Sequence, residues 1–414
     1  MLNPLTITLT PSSASGQCAD ASRWVRRSDP PPGRTLALPA LERHLAHSKM
    51  DGDAVIVAAG PVLAEVQRVE FLTTDDGVCV GDGWFAPVSG REFPPFVSSR
   101  LEDLKRRVGV AKLQVGAEGW RTAVTFVDRF SNLTQLHRVP SRAYFKMAEI
   151  VRVLSTTPTN ALHLCEAPGG FAVCVQDTWA CTASAHSLSG PNAISFRPLP
   201  MRVSRLDGLP ANADLIETAV VDQLAQGGRT FDLVTADGSA DHDGEPVAVE
   251  RNHHLLACRE AAVALLTLRE GGSFVLKLFD LALANTHRLL FAVASTFARA
   301  QLVKPLSSRA TNGEVYLVCQ GFRVGAVPTT ALTSMRHSPT PLDGVALSAH
   351  WRTQTARAFN ALARAQADAL QVLFDFIERE KMPPPDASEE LWASIRPPFT
   401  KTLACHNNGR KRRR

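Results

Sequence analysis

The chain has 414 residues, of which 45% are hydrophobic and 7% aromatic, and its formal net charge is +5 at pH 7. This length and composition suit one large globular domain with additions, or two domains. No run of about 18 apolar residues occurs, so the sequence predicts no membrane span. The last five residues, Arg410 to Arg414, are all basic, which leaves the rest of the chain nearly neutral. Any basic surface for an anionic partner must therefore be local.

The cysteines and the sequences of the two termini indicate in which cellular compartment the protein is expected. The eight cysteines form no C-x-x-C pair, which disfavours a zinc ribbon and suits a reducing compartment. The N-terminus lacks a basic region followed by an apolar core, so no secretory signal is predicted. The basic tail is consistent with a nuclear localisation signal, a nucleic-acid contact or a solvated end. We expect a nuclear protein, with the cytoplasm as a further location.

Composition and periodicity divide the chain into six segments. The first is rich in Ser, Pro and Thr, which is typical of disorder, and the fourth has the composition of a linker. The predicted segments are a disordered start (1–35), an N-terminal accessory region (36–113), an α/β domain (114–323), a linker (324–346), a helical C-terminal region (347–398) and a basic tail (399–414).

Strands and helices alternate within the α/β domain. Such alternation predicts an open, mostly parallel sheet with helices on both faces, and in such sheets ligands bind at the carboxyl ends of the strands. Beyond the linker, apolar residues at helical spacing predict one long helix. In chain order, the predicted elements are a short helix 101–108, a helix from Ser141 to about 154, strand 161–165, helix 171–180, strand 231–236, helix 251–269, strand 273–279, helix 285–300, strands 301–304 and 314–320, and helix 347–380.

A glycine turn follows the first strand of this domain. Gly169 and Gly170 come directly before the helix that begins at Phe171. Glycines let the backbone approach a ligand closely, and a helix start offers free N–H groups. A Gly-Gly turn alone is weak evidence, because many strand-to-helix turns need one. The loop lacks the pattern G-x-G-x-x-G, which disfavours a nicotinamide-dependent oxidoreductase.

Four charged residues occupy places that are unusual for charged residues. Lys277 lies inside an apolar strand, where a lysine is seldom buried without a partner. It is either an edge lysine with a solvated head or an active-site lysine with a lowered pKa. Asp237 closes a strand, as a turn aspartate or as a site residue. Glu314 at a strand start and Lys146 on a helix would each, taken alone, be solvated surface charges.

Taken together, these residues and their surroundings resemble one family, the FtsJ/RrmJ-type RNA ribose 2′-O-methyltransferases with a Rossmann-like fold. The resemblance covers about half the chain, from 114 to 323. It rests on five segments in the family's order: Ser141 to Ile150, Leu164 to Phe171, Asp232 to Ser239, Gly271 to Phe279 and Ser308 to Val318. The family's Lys-Asp-Lys-Glu tetrad then falls on Lys146, Asp237, Lys277 and Glu314.

Within the family, the motif sequences most resemble those of the eukaryotic cap 2 enzymes, which methylate the second transcribed nucleotide of mRNA. Relatives of these enzymes act on spliced-leader caps, and this chain could be one of them. The stretch His163-Leu-Cys-Glu-Ala-Pro-Gly is similar to that subgroup in particular. Bacterial relatives carry an acidic residue at the position of His163. The resemblance therefore leaves the cofactor contacts near this residue open.

The resemblance implies a chemistry that explains the four residue types. S-adenosyl-L-methionine would supply an activated methyl group, and the enzyme must align the ribose 2′-oxygen with it and assist loss of the hydroxyl proton. Lys277 is the candidate general base, and Lys146 would help to lower its pKa and stabilise developing oxyanion charge. Asp237 and Glu314 would hold and neutralise the two lysines. This mechanism requires no metal.

The resemblance also suggests where the cofactor and the RNA bind. Candidate cofactor contacts are Gly169, Gly170, Phe171, Asp207 and Asp237. The backbone of single-stranded RNA would be held by basic side chains. The candidate phosphate contacts are Arg142, Arg205 and Arg309, with Arg202 and Lys304 as further possibilities.

The sequence therefore predicts an S-adenosylmethionine-dependent methyltransferase that acts on the capped 5′ end of mRNA or on spliced-leader RNA, most similar to the cap 2 type. Alternatives are a 2′-O-methyltransferase acting on cap 1, ribosomal or transfer RNA, and an inactive methyltransferase-like RNA-binding subunit. The intact tetrad disfavours the inactive subunit.

Overall fold

The computed structural model describes residues 5–8, 98–128, 134, 137–191, 193–240, 248–342, 347 and 349–379. Most of the predicted disordered start and accessory region, and the whole basic tail, lie outside these residues. None of the helices in the described part of the chain is long and apolar enough to cross a membrane.

The described elements alternate between strands and helices through the centre of the chain. The strands are β1 (Leu5–Thr8), β2 (Asn160–Leu164), β3 (Thr182–Ala185), β4 (Val203–Arg205), β5 (Phe231–Ala236), β6 (Leu268–Phe279), β7 (Phe297–Lys304) and β8 (Glu314–Phe322). The helices are α1 (Ser99–Val127), α2 (Ala143–Ile150), α3 (Gly170–Trp179), α4 (Thr218–Ala225), α5 (Val249–Thr267), α6 (Ala284–Ala294), α7 (Thr329–His337) and α8 (Ala349–Arg379).

The strands of the described residues form one mixed sheet in the order β1-β7-β8-β6-β5-β2-β3-β4. From β4 to β6 all neighbours are parallel, whereas β8 runs antiparallel to both β6 and β7, and β1 runs antiparallel to β7. This is the predicted open, mostly parallel sheet. Because β8 is reversed, its first residue lies at the same edge of the sheet as the carboxyl ends of β5 and β6.

Helices cover both faces of the sheet, as the alternation of strand side chains requires. Leu162 and Leu164 of β2 pack with α5 and α6 on one face, and Ala161 packs with α2 and α3 on the other. The predicted helices on both faces are therefore confirmed. The second face carries α2, and this placement brings a helix beside the strands that bear the charged residues.

A third apolar cluster joins α1 to α8. Leu101, Leu104 and Val108 of α1 pack with Phe359 and other apolar residues of α8. The sequence predicted the α8 helix, but it predicted only residues 101–108 of α1. Helix α1 runs across the predicted boundary between 113 and 114 and is interrupted by left-handed backbone at Gly116 (φ 71°).

Other differences from the predicted elements are local. Strand β6 begins at Leu268, five residues before the start of the predicted strand 273–279. The predicted helix 285–300 ends at Ala294, and the chain returns as β7. The predicted linker contains α7, whose Ala331 and Met335 are buried against the core. Likewise, β1 lies in the segment predicted to be disordered.

Candidate active site

The four predicted tetrad residues come together at one edge of the sheet. Asp237 directly follows β5, Lys277 lies near the end of β6, and Glu314 begins β8. Lys146 reaches the same point from α2 on the face of the sheet. Parallel strands end at a common edge, and this is where α/β proteins of this kind bind ligands.

Two ion pairs form the centre of the site. Lys277 Nζ lies 3.1 Å from Asp237 Oδ1 and donates a hydrogen bond to the Asp237 carbonyl oxygen at 2.7 Å. Lys146 Nζ donates to Glu314 Oε2 at 2.8 Å. Only 7–14% of each of these four side chains is exposed. Both pairs are thus largely withdrawn from water. Charges interact more strongly in such a buried place than in water.

Tyr316 joins the two pairs. Its hydroxyl donates to Asp237 Oδ1 at 2.8 Å and accepts from Lys146 Nζ at 3.4 Å. Tyr316 pairs in register with Lys277 across β6 and β8, and its side chain is fully buried. Burial and the nearby carboxylates raise the pKa of Tyr316 well above its usual value, so the phenol remains a hydrogen-bond donor.

The charge state of Lys277 differs from the expected one. Burial by itself would lower its pKa, but the carboxylates of Asp237 and Glu314 outweigh this, and the pKa of Lys277 is raised. The expected lowering is therefore not found in this arrangement. The pKa of Glu314 is depressed: burial opposes ionisation, but the three lysines at positions 146, 277 and 304 more than compensate.

The ammonium group of Lys304 is directed toward the loop that precedes Glu314 and not toward solvent. Its ammonium group donates to oxygens of Ser308, Arg309, Asn312 and Glu314 at 2.7–3.3 Å. Burial lowers its pKa to about 7. The side chain thus organises the loop between β7 and β8, and its ammonium group is held by protein oxygens.

One glycine of the loop lets two helices pack closely. Gly169 has a left-handed backbone (φ 112°), and a Cβ on Gly170 would lie 2.5 Å from Ser141 Oγ and 2.8 Å from Tyr144 N. Gly170 thus lets the start of α3 approach the start of α2. The side chain of Phe171 is fully buried against the ring of Tyr316. This side chain is therefore not available to a cofactor.

The start of α3 is capped by the protein itself. Glu166 Oε1 accepts a hydrogen bond from Ala172 N at 2.9 Å. The N–H group of Ala172 is therefore not free, in contrast to the expectation from the sequence. Burial raises the pKa of Glu166 to about 8.

His163 is a core residue. Its Nδ1 lies 2.7 Å from Thr235 Oγ1 on the neighbouring strand, and the ring is fully buried. Burial lowers its pKa to about 3, so the ring is neutral.

A cavity of about 220 Å³ lies beyond the carboxyl ends of β3 and β4. Its walls combine apolar side chains, such as Phe196 and Leu206, with the hydroxyl group of Ser187 and the carboxylate of Asp207. Arg205 lies at the same cavity, with its guanidinium 5.1 Å from the Phe196 ring centroid and 3.3 Å from Asp207 Oδ1. Two of the predicted residues, Asp207 and Arg205, thus meet at one cavity, away from the tetrad.

Two of the predicted arginines meet elsewhere, at Asp128. Arg142 forms an ion pair with Asp128 and donates to the Ser307 carbonyl oxygen at 2.6 Å. Arg309 Nε lies 3.6 Å from Asp128 Oδ2, and 56% of its side chain is exposed. Arg142 therefore has an internal role, whereas Arg309 stays accessible to an RNA phosphate.

Comparison with known proteins identifies the central domain. The profile of the FtsJ-like methyltransferase family matches residues 139–322. Residues 139–322 form an FtsJ-like methyltransferase domain. This match lies within the range predicted from the sequence, 114–323, and includes all four tetrad residues.

Similar proteins carry names that concern the mRNA cap. The chain is 30% identical over 267 residues to cap-specific mRNA (nucleoside-2′-O-)-methyltransferase 2 of Danio rerio, covering 55% of this chain and 36% of that protein. It is 34% identical to the cap-specific mRNA (nucleoside-2′-O-)-methyltransferase of Autographa californica nuclear polyhedrosis virus, and that match covers 38% of this chain and 62% of the viral protein. It is 32% identical to cap-specific mRNA (nucleoside-2′-O-)-methyltransferase 1 of Mus musculus, and that match covers 39% of this chain and 21% of the mouse protein. The chain thus spans between about a fifth and three fifths of the length of these relatives.

One solved structure that matches the chain is described as a ribosomal RNA methyltransferase, putative, from Plasmodium falciparum. It has a TM-score of 0.33 and 17% sequence identity, and the match covers 44% of this chain and 98% of that one.

The residues of the FtsJ-like domain fit the cofactor of this family, S-adenosylmethionine. The β3–β4 cavity offers apolar walls for a purine and a carboxylate for polar groups of the nucleoside. The other end of the cofactor is cationic, and Asp237 places a carboxylate at the end of β5. Gly169, Gly170 and Phe171 follow the end of β2 and precede the residues of the cavity along the chain.

Several supporting residues escaped the sequence analysis. Tyr316 could have been found, because residues two apart on a strand face the same side, and Glu314 is two residues earlier. Glu149, Glu166 and Glu260 are buried acids around the site whose partners are backbone N–H groups. Such partners leave no sequence signal.

Proposed function

We propose that this protein is an S-adenosylmethionine-dependent RNA cap methyltransferase that modifies a cap-proximal ribose 2′-hydroxyl, with the second transcribed nucleotide as its target. One observation carries this proposal. The Lys146–Glu314 and Lys277–Asp237 ion pairs are joined by the Tyr316 hydroxyl group. They form one buried cluster at the edge of the sheet where ligands bind in such folds. The names of the relatives, which include cap 2 and cap 1 types, support a capped RNA as the substrate.

The cluster suits the activation of a weak nucleophile. When bound, the cofactor would supply the methyl group on a sulfonium, and Asp207 and Asp237 would hold its two ends. Lys146 places a positive charge where the 2′-oxygen gains negative charge, and Lys277 becomes positive as it takes the hydroxyl proton, so both favour the transition state over the neutral hydroxyl. The carboxylates of Asp237 and Glu314 fix both ammonium groups in direction, so little reorganisation is needed.

Proton removal is assigned to Lys277 as general base. Its raised pKa means that the resting side chain is charged, so only the small neutral fraction can accept the hydroxyl proton. The exposed Arg309, on the loop that leads into β8, is placed to contact a phosphate of the bound RNA.

The test is methyl transfer from labelled S-adenosylmethionine to matched capped and uncapped RNAs, followed by nuclease mapping of the label. We expect label on the second ribose of capped RNA only, and loss of at least about 100-fold in rate for Lys277→Ala. Lys112→Ala, which removes an exposed lysine of α1, is the control for loss of one positive charge and should keep wild-type rate.

Other outcomes would replace the proposal. Label on the first ribose would make the protein a cap 1 enzyme, and equal transfer to uncapped RNA would indicate a ribosomal or transfer RNA substrate. Binding of cofactor without transfer to any RNA would indicate the inactive RNA-binding subunit.

We also propose a nuclear location, which the basic run Arg410 to Arg414 supports. A fluorescent fusion of the full chain should concentrate in the nucleus, and deletion of these five residues should release it to the cytoplasm. Equal distribution of both fusions would contradict the role of the tail.

A further inference from the structure

Glu149 lies one helical turn after Lys146 on α2 and is fully buried. Its two carboxylate oxygens accept hydrogen bonds from two consecutive backbone N–H groups, Leu306 N at 2.7 Å and Ser307 N at 2.8 Å. Both belong to the loop between β7 and β8. Because one buried side chain accepts from two consecutive N–H groups, it fixes the position of that stretch of backbone.

The same helix holds this loop at a second point. Arg142, directly before α2, donates to the Ser307 carbonyl oxygen at 2.6 Å. The peptide groups on both sides of Ser307 are therefore bound by side chains of α2 and its cap. Arg142 is in turn fixed by its ion pair with Asp128 at the end of α1.

The next loop residue reaches the tetrad. The Ser308 hydroxyl group donates to Glu314 Oε1 at 2.6 Å, while Glu314 accepts from Lys146 on α2. A closed ring of contacts thus runs from Lys146 along α2 to Glu149, across to the loop, through Ser308 to Glu314, and back to Lys146. Helix α2 supplies one member of the ion pair and holds the loop that orients the other.

We propose that Glu149 is a positioning residue for methyl transfer, which sets the direction of the Glu314 carboxylate, and hence of the Lys146 ammonium, through the Leu306–Ser308 segment. This inference rests on the proposed function, because the positioned pair is the one assigned to the 2′-hydroxyl. Glu149 itself touches neither substrate nor cofactor in this assignment.

Glu149→Gln is the sharpest single change. The amide keeps the shape of the side chain, but its NH2 group cannot accept a hydrogen bond, so one of the two backbone N–H groups loses its partner. The loop should shift away from α2 by a fraction of an ångström. Since a misplacement of about 1 Å can cost about 100-fold in rate, we expect kcat to fall by about 10- to 100-fold.

Glu250→Gln is the matched control. Glu250 on α5 is also buried and also accepts from two consecutive backbone N–H groups, Ala282 N at 3.0 Å and Leu283 N at 2.9 Å. The segment that it holds contributes no member of the tetrad. Both variants should lose similar thermal stability, but Glu250→Gln should retain kcat within about twofold, and both should bind S-adenosylmethionine with wild-type affinity.

A double-mutant cycle with Ser308→Ala tests the route of the effect. If Glu149 acts through Ser308, Glu149→Gln should lower kcat much less in the Ser308→Ala background than in the wild type. Multiplicative effects of the two changes would overturn the proposed route. Equal kcat losses in Glu149→Gln and Glu250→Gln, or no loss in either, would overturn the positioning role.

A measurement independent of activity separates this inference from the proposed function. The NMR signal of the Lys146 ε-methylene group should shift in Glu149→Gln and stay in place in Glu250→Gln, because only the former moves the partner of Lys146. An unmoved signal would overturn the inference. If the wild-type protein methylates no RNA but the signal still shifts in Glu149→Gln, the proposed function is overturned. The positioning of Lys146 by Glu149 would then still stand.

Discussion

The protonation of Lys277 decides how the rate of the proposed reaction depends on pH. Burial works against the charged form, but Asp237 and Glu314 raise the pKa of Lys277 above its ordinary value. A lysine must be neutral to accept a proton. At pH values below its pKa, its neutral fraction rises about tenfold for each unit of increase in pH. We therefore predict that kcat/KM rises steadily from pH 7 to pH 10, without a plateau in the neutral range.

The pH profile of single turnovers checks this prediction, with Asp237→Asn as the informative variant. Removal of the nearest carboxylate charge should lower the pKa of Lys277 and move the rise toward neutral pH. A flat wild-type profile between pH 7 and 10 would show that Lys277 acts by its charge alone and that another group takes the proton.

Gly170 is the residue on which the approach of α2 to α3 depends. A Cβ at this position would lie 2.5 Å from Ser141 Oγ and 2.8 Å from both Ala143 Cβ and Tyr144 N, so the helices would have to separate. We predict that Gly170→Ala lowers the free energy of unfolding by about 1–3 kcal/mol. Urea denaturation measures the loss.

Gly109→Ala provides the contrast. Nothing lies within 4 Å of a Cβ built on Gly109, which is in the middle of α1. In an open helical position, alanine stabilises by up to about 1 kcal/mol relative to glycine. Equal effects of the two substitutions would contradict the packing role assigned to Gly170.

At the residue scale, the sequence identified side chains that carry a family pattern and missed those defined by the fold. Lys146, Asp237, Lys277 and Glu314 were predicted from the resemblance, and all four meet. Glu149 could not be predicted, because its partners are backbone N–H groups more than 150 residues away. The raised pKa of Lys277 was also missed, because its sign depends on two distances that the sequence does not contain.

At the scale of elements, α1 is tied to the segments that deliver the tetrad. Lys105 Nζ of α1 lies 2.6 Å from Asp280 Oδ1, with each side chain about 10% exposed. Asp280 comes three residues after Lys277, and its N–H group donates to the carbonyl oxygen of Gly313, the neighbour of Glu314. The ion pair thus connects a helix outside the FtsJ-like domain to the ends of β6 and β8.

We predict that Lys105→Met destabilises the protein by about 3–5 kcal/mol, because it leaves the Asp280 carboxylate buried without its cation. The double variant Lys105→Met/Asp280→Asn should recover a large part of this loss, since no uncompensated charge remains. Urea unfolding of the three proteins tests the prediction, and a loss below about 1 kcal/mol in Lys105→Met would mean that water reaches the pair.

The elements themselves were predictable where their periodicity is strong. The strands from β5 to β8 and the long α8 helix follow the apolar pattern of the sequence. Helix α1 was recognised only in part, because Gly109, Gly116 and Gly119 interrupt its pattern. The residues of α7 were assigned to a linker, since their Ser and Thr content is typical of loops, but burial of Met335 in the core holds the segment as a helix.

At the scale of the whole molecule, buried ionisable groups set the dependence of stability on pH. Within the described residues, burial raises the pKa of four glutamates to about 7 or 8 and lowers the pKa of four histidines. The glutamates are Glu149, Glu166, Glu250 and Glu260, and the histidines are His163, His186, His253 and His287.

These two sets act in opposite directions. A glutamate with a raised pKa stabilises the fold in its neutral form, and this contribution is lost as the pH rises through its folded pKa. A histidine with a lowered pKa stabilises the fold above its unfolded pKa, near 6.5, and this contribution is lost as the pH falls. Their sum places the greatest stability at about pH 5–6, with a decline toward pH 8.

Glu260 provides the test of this decline. It is fully buried, its Oε1 accepts from Gly238 N at 3.1 Å, and burial raises its pKa to about 8. Glu260→Gln keeps that acceptor but cannot ionise, so its free energy of unfolding should fall less steeply between pH 6 and pH 8, by about 1.4 kcal/mol per pH unit. Urea unfolding across this range measures the slopes, with exposed Glu118→Gln as the control that should leave the slope unchanged. An equal decline in wild type and Glu260→Gln would mean that Glu260 is already ionised in the folded protein, and its charge would then add to those of Asp237 and Glu314 around Lys277.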